Sequence, residues 1–280
     1  MSAPSGPPGS RERAEAHEVA GELAGLGIDL DRHAEEALAM YLRRIRQWSE
    51  RINLVSALDV ERLGRRHLLE SFNVLTCPFS LAGARLADAG SGAGFPGIPL
   101  ALIEPELEVL LIESVRKKAA FLSRVVSDLG LAPPAPAVPA TAEAAAGAAA
   151  EAAAGLTAGA AAEATRARAQ SAAPPLLPRV VVAAERAEVL ASLAEHRSRY
   201  GILTVRGFGP LSRAVRECGA LLAPGGFLVA FKGSSPEREV REALAIMRGR
   251  RLMLADIMPM RWGEGSIVLL RRKGEGECSS

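Results

Sequence analysis

Residues 86–99 read Leu86-Ala87-Asp88-Ala89-Gly90-Ser91-Gly92-Ala93-Gly94-Phe95-Pro96-Gly97-Ile98-Pro99. A short aliphatic run enters a glycine cluster, and a helical pattern leaves it. Glycine allows a tight turn and lets the backbone approach a ligand closely. The first turn of the following helix favours an anionic or polar group. In an open α/β sheet, such a loop lies beyond the carboxyl ends of the strands, where ligands bind.

The pattern continues outward from this loop. Val109-Leu110-Leu111-Ile112 reads as a buried strand and Val115 to Leu129 as a helix. Val180-Val181-Val182-Ala183, Ile202-Leu203-Thr204-Val205 and Phe227-Leu228-Val229-Ala230-Phe231 read as three more strands, with helical patterns between them. Leu252 to Ile257 and Ser266 to Leu270 close the series. Strands alternating with helices predict an α/β fold, a mostly parallel, doubly wound, Rossmann-like sheet over residues 81–273. The closeness of the last two strands predicts an antiparallel final strand.

Upstream, Ala34, Leu38, Tyr41, Leu42, Ile45, Trp48 and Ile52 recur at helical steps, with Asp31 as N-cap and Arg43, Arg44, Arg46 and Arg51 on the opposite face. Val60, Leu63, Leu68, Phe72 and Leu75 predict a second helix from Asp59 to about Leu75, which carries Arg62, Arg65, Arg66 and His67. Residues 11–80 thus form an N-terminal helical region. Residues 1–10 are rich in Pro, Gly and Ser and read as a disordered tail without the apolar core of a signal peptide. Residues 274–280 form a short C-terminal tail. Residues 132–178 are an Ala/Pro-rich, low-complexity insertion within the sheet domain, read as a surface loop that lacks large apolar groups to bury.

Composition narrows the function classes. Aromatic residues make up 4% of 280, so the core must be aliphatic, as in buried parallel sheets. The net charge is +2, from 34 basic and 32 acidic residues, so the total charge alone does not announce a nucleic-acid binder. Three cysteines, Cys77, Cys218 and Cys278, are far apart and suggest neither a disulfide framework nor a metal site, in keeping with a reduced, cytoplasmic setting. The alanine-rich stretch after Ala140 carries Glu143, Glu151 and Glu163 and is too weakly apolar for a membrane span.

Two ligands fit the glycine loop. Gly92-x-Gly94-x-x-Gly97 matches the dinucleotide fingerprint, whereas Gly90-x-Gly92-x-Gly94 matches the loop of Rossmann-like methyltransferases. Asp88 suits the ammonium of a methionine moiety better than a pyrophosphate. Glu113, at the end of the second strand, is placed to bond ribose hydroxyls of either ligand. An NAD-dependent oxidoreductase and a non-catalytic RNA-binding or assembly protein therefore stand beside a methyltransferase.

The run Asp88-Ala-Gly-Ser-Gly-Ala-Gly-Phe-Pro-Gly-Ile-Pro-Leu100 resembles the signature loop of the bacterial 16S ribosomal RNA (guanine-N7) methyltransferases, the RsmG or glucose-inhibited division protein B family. Arg51-Ile-Asn53-Leu-Val-Ser56, Arg66-His67-Leu-Leu-Glu-Ser71 and Glu113-Ser-Val-Arg-Lys-Lys-Ala-Ala-Phe121-Leu122 resemble further family stretches. So do Arg186-Ala187-Glu188, Val205-Arg206-Gly207-Phe208 and Phe231-Lys232-Gly233. The likeness covers about Leu30 to Leu270 outside the insertion. Tyr200-Gly201 stands where the family often has Asp, and Gly207 replaces the usual Ala.

The resemblance implies a class I methyltransferase fold using S-adenosyl-L-methionine, with Gly90, Phe95, Ala187, Glu188 and Arg206 touching it beside Asp88, Gly92, Gly94 and Glu113. It implies 16S ribosomal RNA or the small ribosomal subunit as partner, with a monomer as the default state. Guanine N7 has a lone pair and no proton, so neither a general base nor a nucleophile is expected, and positioning is the main task. Arg66, His67, Arg116, Lys117, Arg206 and Lys232 are the candidates for gripping the RNA.

Overall fold

In a computed structural model, residues 7–132, 180–274 and 276 are described. Among these, seven strands form one sheet in the order β3-β2-β1-β4-β5-β7-β6. The strands are β1 (Arg85–Ala89), β2 (Glu108–Ile112), β3 (Val180–Ala183), β4 (Tyr200–Arg206), β5 (Leu222–Lys232), β6 (Leu252–Pro259) and β7 (Ser266–Arg272). The first five are parallel, and β7 runs antiparallel to both β5 and β6. The order reverses at β1, which has β2 on one side and β4 on the other. That reversal places the glycine loop after β1 at the topological switch point.

The strands read as aliphatic runs because both sheet faces are covered. Leu86, Val109 and Leu111 face one core, shared with the N-terminal helices. Ala87, Ala89, Leu110 and Ile112 face a second core on the other side. The helices after the strands are α5 (Gly97–Ile103), α6 (Arg116–Asp128), α7 (Ala187–Ser192), α8 (Leu211–Cys218) and α9 (Glu237–Gly249).

In the N-terminal region, α1 (Ser10–Ala24) packs against α2 (Arg32–Ser49). Gly9 N–H donates to the Glu12 carboxylate at 2.8 Å, so helix already begins inside the stretch read as a tail. Residues 1–6, 275 and 277–280, with the tail readings that fall on them, lie outside the described residues. Asp31 caps α2 as expected, accepting from Ala34 N–H at 2.7 Å.

On the arginine face of α2, Arg44 pairs with Asp128 at 2.9 Å, and Arg46 with Glu12 at 2.9 Å and Glu15 at 2.6 Å. Helices α1 and α6 cover that face, and their carboxylates meet the buried guanidinium groups. One expectation for this region is corrected: the second helix is not continuous. It is broken into α3 (Ala57–Val60), a π-helical stretch (Leu63–Leu68), α4 (Leu69–Ser71) and a 3₁₀ stretch (Phe72–Thr76). Such irregular turns occur often at functional sites, and here they carry Arg66, His67 and Glu70.

The insertion reading falls on residues that are almost all outside the described ones. Its flanks are described: Val180 N–H donates to the Leu131 carbonyl at 3.0 Å, so the chain leaves and re-enters the fold at one point. No helix among the described residues is long and apolar enough to cross a membrane. Cys77 and Cys218 are buried free thiols, and Cys278 lies outside the described residues.

Candidate functional site

The loop after β1 takes its shape from glycines at positive φ: +73° at Gly90, +58° at Gly92 and +100° at Gly94. Side chains rarely adopt that region. A Cβ at Gly90 would also stand 2.9 Å from Phe208 Cδ2. The loop is tied to its neighbours by backbone. Gly90 and Ser91 N–H donate to the Ile112 carbonyl, at 2.9 and 3.0 Å. Tyr41 of α2 donates its hydroxyl to the Ala93 carbonyl at 2.8 Å.

Glu113 buttresses the loop, accepting from Gly92 N–H at 2.9 Å and from Val115 N–H at 2.7 Å. Each carboxylate oxygen keeps a further lone pair, so the acid can hold the loop and still accept from a ligand hydroxyl. Beside it, Gly90, Ile112, Ser114, Ala187, Glu188 and Phe208 line a small cleft of about 50 Å³. Ala187 and Glu188 open α7, so the predicted contacts from the ends of β1, β2 and β3 converge on one cleft.

Asp88 requires a correction. It is 1% exposed and lies beneath the loop. Its Oδ1 accepts from the Thr204 hydroxyl at 2.7 Å, and its Oδ2 stands against Gly97, where a Cβ would come within 3.2 Å. The period of two along β1 sends this side chain to the Leu86 face, under α5, and not out to meet a ligand ammonium. Asp88 therefore positions the loop from below.

Burial lifts the Asp88 carboxyl to about 7, against the donors of Thr204, Ser91 and Gly97. Burial, then Arg206, lowers His67 to about 4. The two act oppositely on stability. The Asp88 contribution is complete below an ordinary carboxyl pKa and is lost as pH rises through about 7. The His67 contribution is complete above an ordinary imidazole pKa and is lost as pH falls through about 4. In the overlap of these windows they offset each other. Asp88→Asn leaves His67 alone, so the ligand-free variant should gain stability relative to wild type by more than about 1 kcal/mol between pH 5 and pH 7. Urea denaturation at those pH values checks this; a difference that stays constant with pH refutes it.

The second group of residues surrounds Arg206, at the end of β4. Its terminal nitrogen donates to Glu70, to His67 Nδ1 at 2.7 Å and to the Arg66 carbonyl at 3.3 Å. Phe95 links this group to the loop. Its ring stacks on His67 at 5.3 Å, lies 5.3 Å from Tyr41 and has the Arg206 guanidinium at 5.7 Å. Asp59 pairs with Arg66 at 2.8 Å. Burial raises the Glu70 pKa and lowers that of Arg206, while each charge supports the other.

The structure thus brings Phe95, Arg66, His67 and Arg206 together. Arg116 and Lys117 are exposed at the start of α6, on the Glu113 side, apart from that group. Lys232 is corrected as an RNA grip: its ammonium is bound to the Gly209 carbonyl at 2.6 Å and to Glu239 at 2.7 Å, with the side chain 8% exposed. It fastens the loop after β4 to α9. Glu70, Tyr41, Thr204, Phe208 and Asn73 were not singled out in the sequence as site residues. Only Glu70 carried a signal, as the one acid in Arg66-His67-Leu68-Leu69-Glu70-Ser71.

The strand order, the antiparallel β7 and the acid-buttressed glycine loop at the switch point define a class I methyltransferase fold. A sequence profile described as "rRNA small subunit methyltransferase G" (GidB) matches residues 34–163. A protein named ribosomal RNA small subunit methyltransferase G from Roseiflexus castenholzii is 34% identical over 225 residues, 79% of this chain and 75% of the relative. Proteins of the same name from Sorangium cellulosum and Halorhodospira halophila are 31% and 34% identical, the former over 90% of this chain and 86% of its own, the latter over 79% of each. The chain belongs to the GidB family of ribosomal RNA small subunit methyltransferases. Of the two ligand readings of the glycine loop, family membership selects S-adenosylmethionine over a dinucleotide.

Proposed function

We propose that this chain methylates guanine N7 of 16S ribosomal RNA, as a cytoplasmic monomer acting on the small subunit or its precursor. The supporting observation is one of placement. The Gly90–Gly94 loop and the Arg206 group share the carboxyl edge of the sheet and are joined through Phe95.

The residues present fit S-adenosylmethionine. Glu113 keeps acceptor capacity for ribose hydroxyls, and the small cleft beside it is lined by Gly90, Ala187 and Glu188. When bound, the cofactor supplies an electrophilic methyl group on a sulfonium. The chain's own work is to hold the acceptor base in line and exclude water. No proton has to leave N7, so His67 is not required as a base, and its lowered pKa keeps it a neutral acceptor for Arg206 near pH 7. Arg66, Arg116 and Lys117 offer exposed or half-exposed cations to RNA phosphates.

The test incubates purified protein with labelled S-adenosylmethionine and small-subunit particles lacking the modification. Label recovered as 7-methylguanosine at one position is the expected result. S-adenosylhomocysteine should also raise Tm, by the equivalent of about 2.7 kcal/mol at a hundredfold excess over Kd. A thermal shift without transfer to RNA or particles would overturn the assignment of the acceptor.

A further inference from the structure

The cleft beside Glu113 holds about 50 Å³, against roughly 300–1,000 Å³ for a small-molecule or cofactor site. Some part of its lining must therefore give way when a nucleoside-sized ligand enters. Gly90, Ile112 and Ala187 are set by strand ends and by the start of α7, and Gly90 N–H is tied to the Ile112 carbonyl. Phe208 is carried differently. Of the described residues that line the cleft, it alone lies between two glycines at positive φ, Gly207 at +64° and Gly209 at +99°. Its half-buried ring lies against Gly90, where an added Cβ would stand 2.9 Å from Cδ2. Both ends of this short segment are pinned. Arg206 is held by Glu70 and His67, and the Gly209 carbonyl accepts from Lys232 at 2.6 Å. Between the pins, the two glycines supply the backbone freedom that a hinge needs. The Arg213 guanidinium sits 5.4 Å from the ring centre, on a side chain that is 52% exposed, so the ring is held by a contact that solvent weakens.

We infer that Phe208 is a gate: its ring covers the Gly90 face of the cleft and swings out on Gly207 and Gly209 to admit S-adenosylmethionine. The inference rests on the cofactor alone and not on the acceptor base proposed above. A glycine in the loop after β1 lets a ligand approach the backbone closely, and the Phe208 ring stands in that approach. Ring and cofactor therefore compete for one face of Gly90. The pinned ends confine the motion to three residues, so Arg206 and Lys232 keep their partners while the ring moves. A site whose competent state is a minor fraction of the free protein binds with a Kd raised by the inverse of that fraction. Phe208 thus sets cofactor affinity through the free protein, by how much of it holds the ring in.

The test measures S-adenosylhomocysteine binding to the full chain by titration calorimetry. Phe208→Ala should lower Kd about threefold or more, as expected when the ring-in state makes up about two thirds or more of the free protein. A ring that instead forms a wall of the bound site gives the opposite sign, so a raised or unchanged Kd overturns the inference. A second measurement keeps the ring. With para-fluorophenylalanine placed at position 208, saturation with S-adenosylhomocysteine should move the fluorine resonance toward that of the free amino acid in water, because the ring leaves Gly90 for solvent. A resonance that stays in place, or moves further from the free value, overturns the gate even where Phe208→Ala fails to fold. Neither readout involves RNA, so a failed acceptor and a failed gate are told apart.

Discussion

Arg206→Ala should lower stability by about 3–5 kcal/mol and abolish methyl transfer, because it strands a buried carboxylate as well as deleting a cation. The Arg206 and Glu70 side chains are 16% and 11% exposed, so solvent screens the pair little. Arg206 also holds His67 Nδ1 at 2.7 Å and the Arg66 carbonyl at 3.3 Å, and its guanidinium lies 5.7 Å from the Phe95 ring centre. Without it the irregular turns at 63–71 lose their tie to β4. Burial already raises the Glu70 pKa, and the loss of Arg206 raises it further. The stability deficit should therefore shrink as pH falls from 8 toward the acid range, because protonation relieves the stranded Glu70 carboxylate of the variant. Adding Glu70→Gln to Arg206→Ala should restore part of the stability and none of the activity. Urea denaturation of the single and double variants reads both effects. A single variant as stable as wild type would show that the pair contributes no net stability.

Asn73→Ala should cost about 2–5 kcal/mol, since it leaves a buried and a part-buried backbone N–H without their acceptor. Asn73 is 0% exposed, and its side-chain oxygen accepts from Arg261 N–H at 2.6 Å and Trp262 N–H at 3.2 Å. Its side-chain nitrogen donates to the Trp262 carbonyl at 2.8 Å and the Glu70 carbonyl at 2.9 Å. One side chain thus joins the turn that carries Glu70 to the segment between β6 and β7 that carries Gly263. Trp262 extends the junction by donating from its indole to Glu22 of α1 at 2.9 Å. Asn73→Asp should be at least as harmful, because it replaces the two donors by a charge facing two carbonyl oxygens. Tm and urea midpoints check the stability loss, and methyl transfer at a temperature where the variant stays folded should still be reduced. A loss below about 0.5 kcal/mol would mean that the backbone groups find other partners.

Much of the fold was legible because its cause is local. Aliphatic runs at regular intervals, bounded by glycine and helical periods, specify a parallel sheet covered on both faces. A glycine cluster directly after such a run specifies where the ligand loop lies. Glu113 could be proposed because the second strand ends just before it, and Ala187 and Glu188 because Arg186-Ala187-Glu188 resembles the family stretch after the third strand. The resemblance carried by Phe95-Pro96-Gly97-Ile98-Pro99 supplied the family, which the comparison with named relatives established.

The less legible features depend on side-chain direction and on distant partners. Asp88 sits two residues before Gly90, which suggests a ligand contact, yet strand alternation turns it inward to Thr204, 116 residues away in the chain. Lys232 follows a strand at the ligand edge, yet Gly209 and Glu239 take its ammonium. Arg44 and Arg46 lie opposite the apolar face of their helix, and only the packing of α6 and α1 brings Asp128 and Glu12 against them.

By itself the sequence determined the α/β class, the strand series, the glycine loop and the family resemblance, because these follow from periodicity, backbone freedom and short motifs. Only the tertiary structure decided that Arg206, His67 and Glu70 form one group under Phe95. It alone set Gly263 against Glu70 and turned Lys232 into a clamp. Arg206 meets His67 and Glu70 across 139 and 136 positions of chain, and even Lys232, only 23 and 7 positions from Gly209 and Glu239, is turned to them by burial that no local pattern encodes.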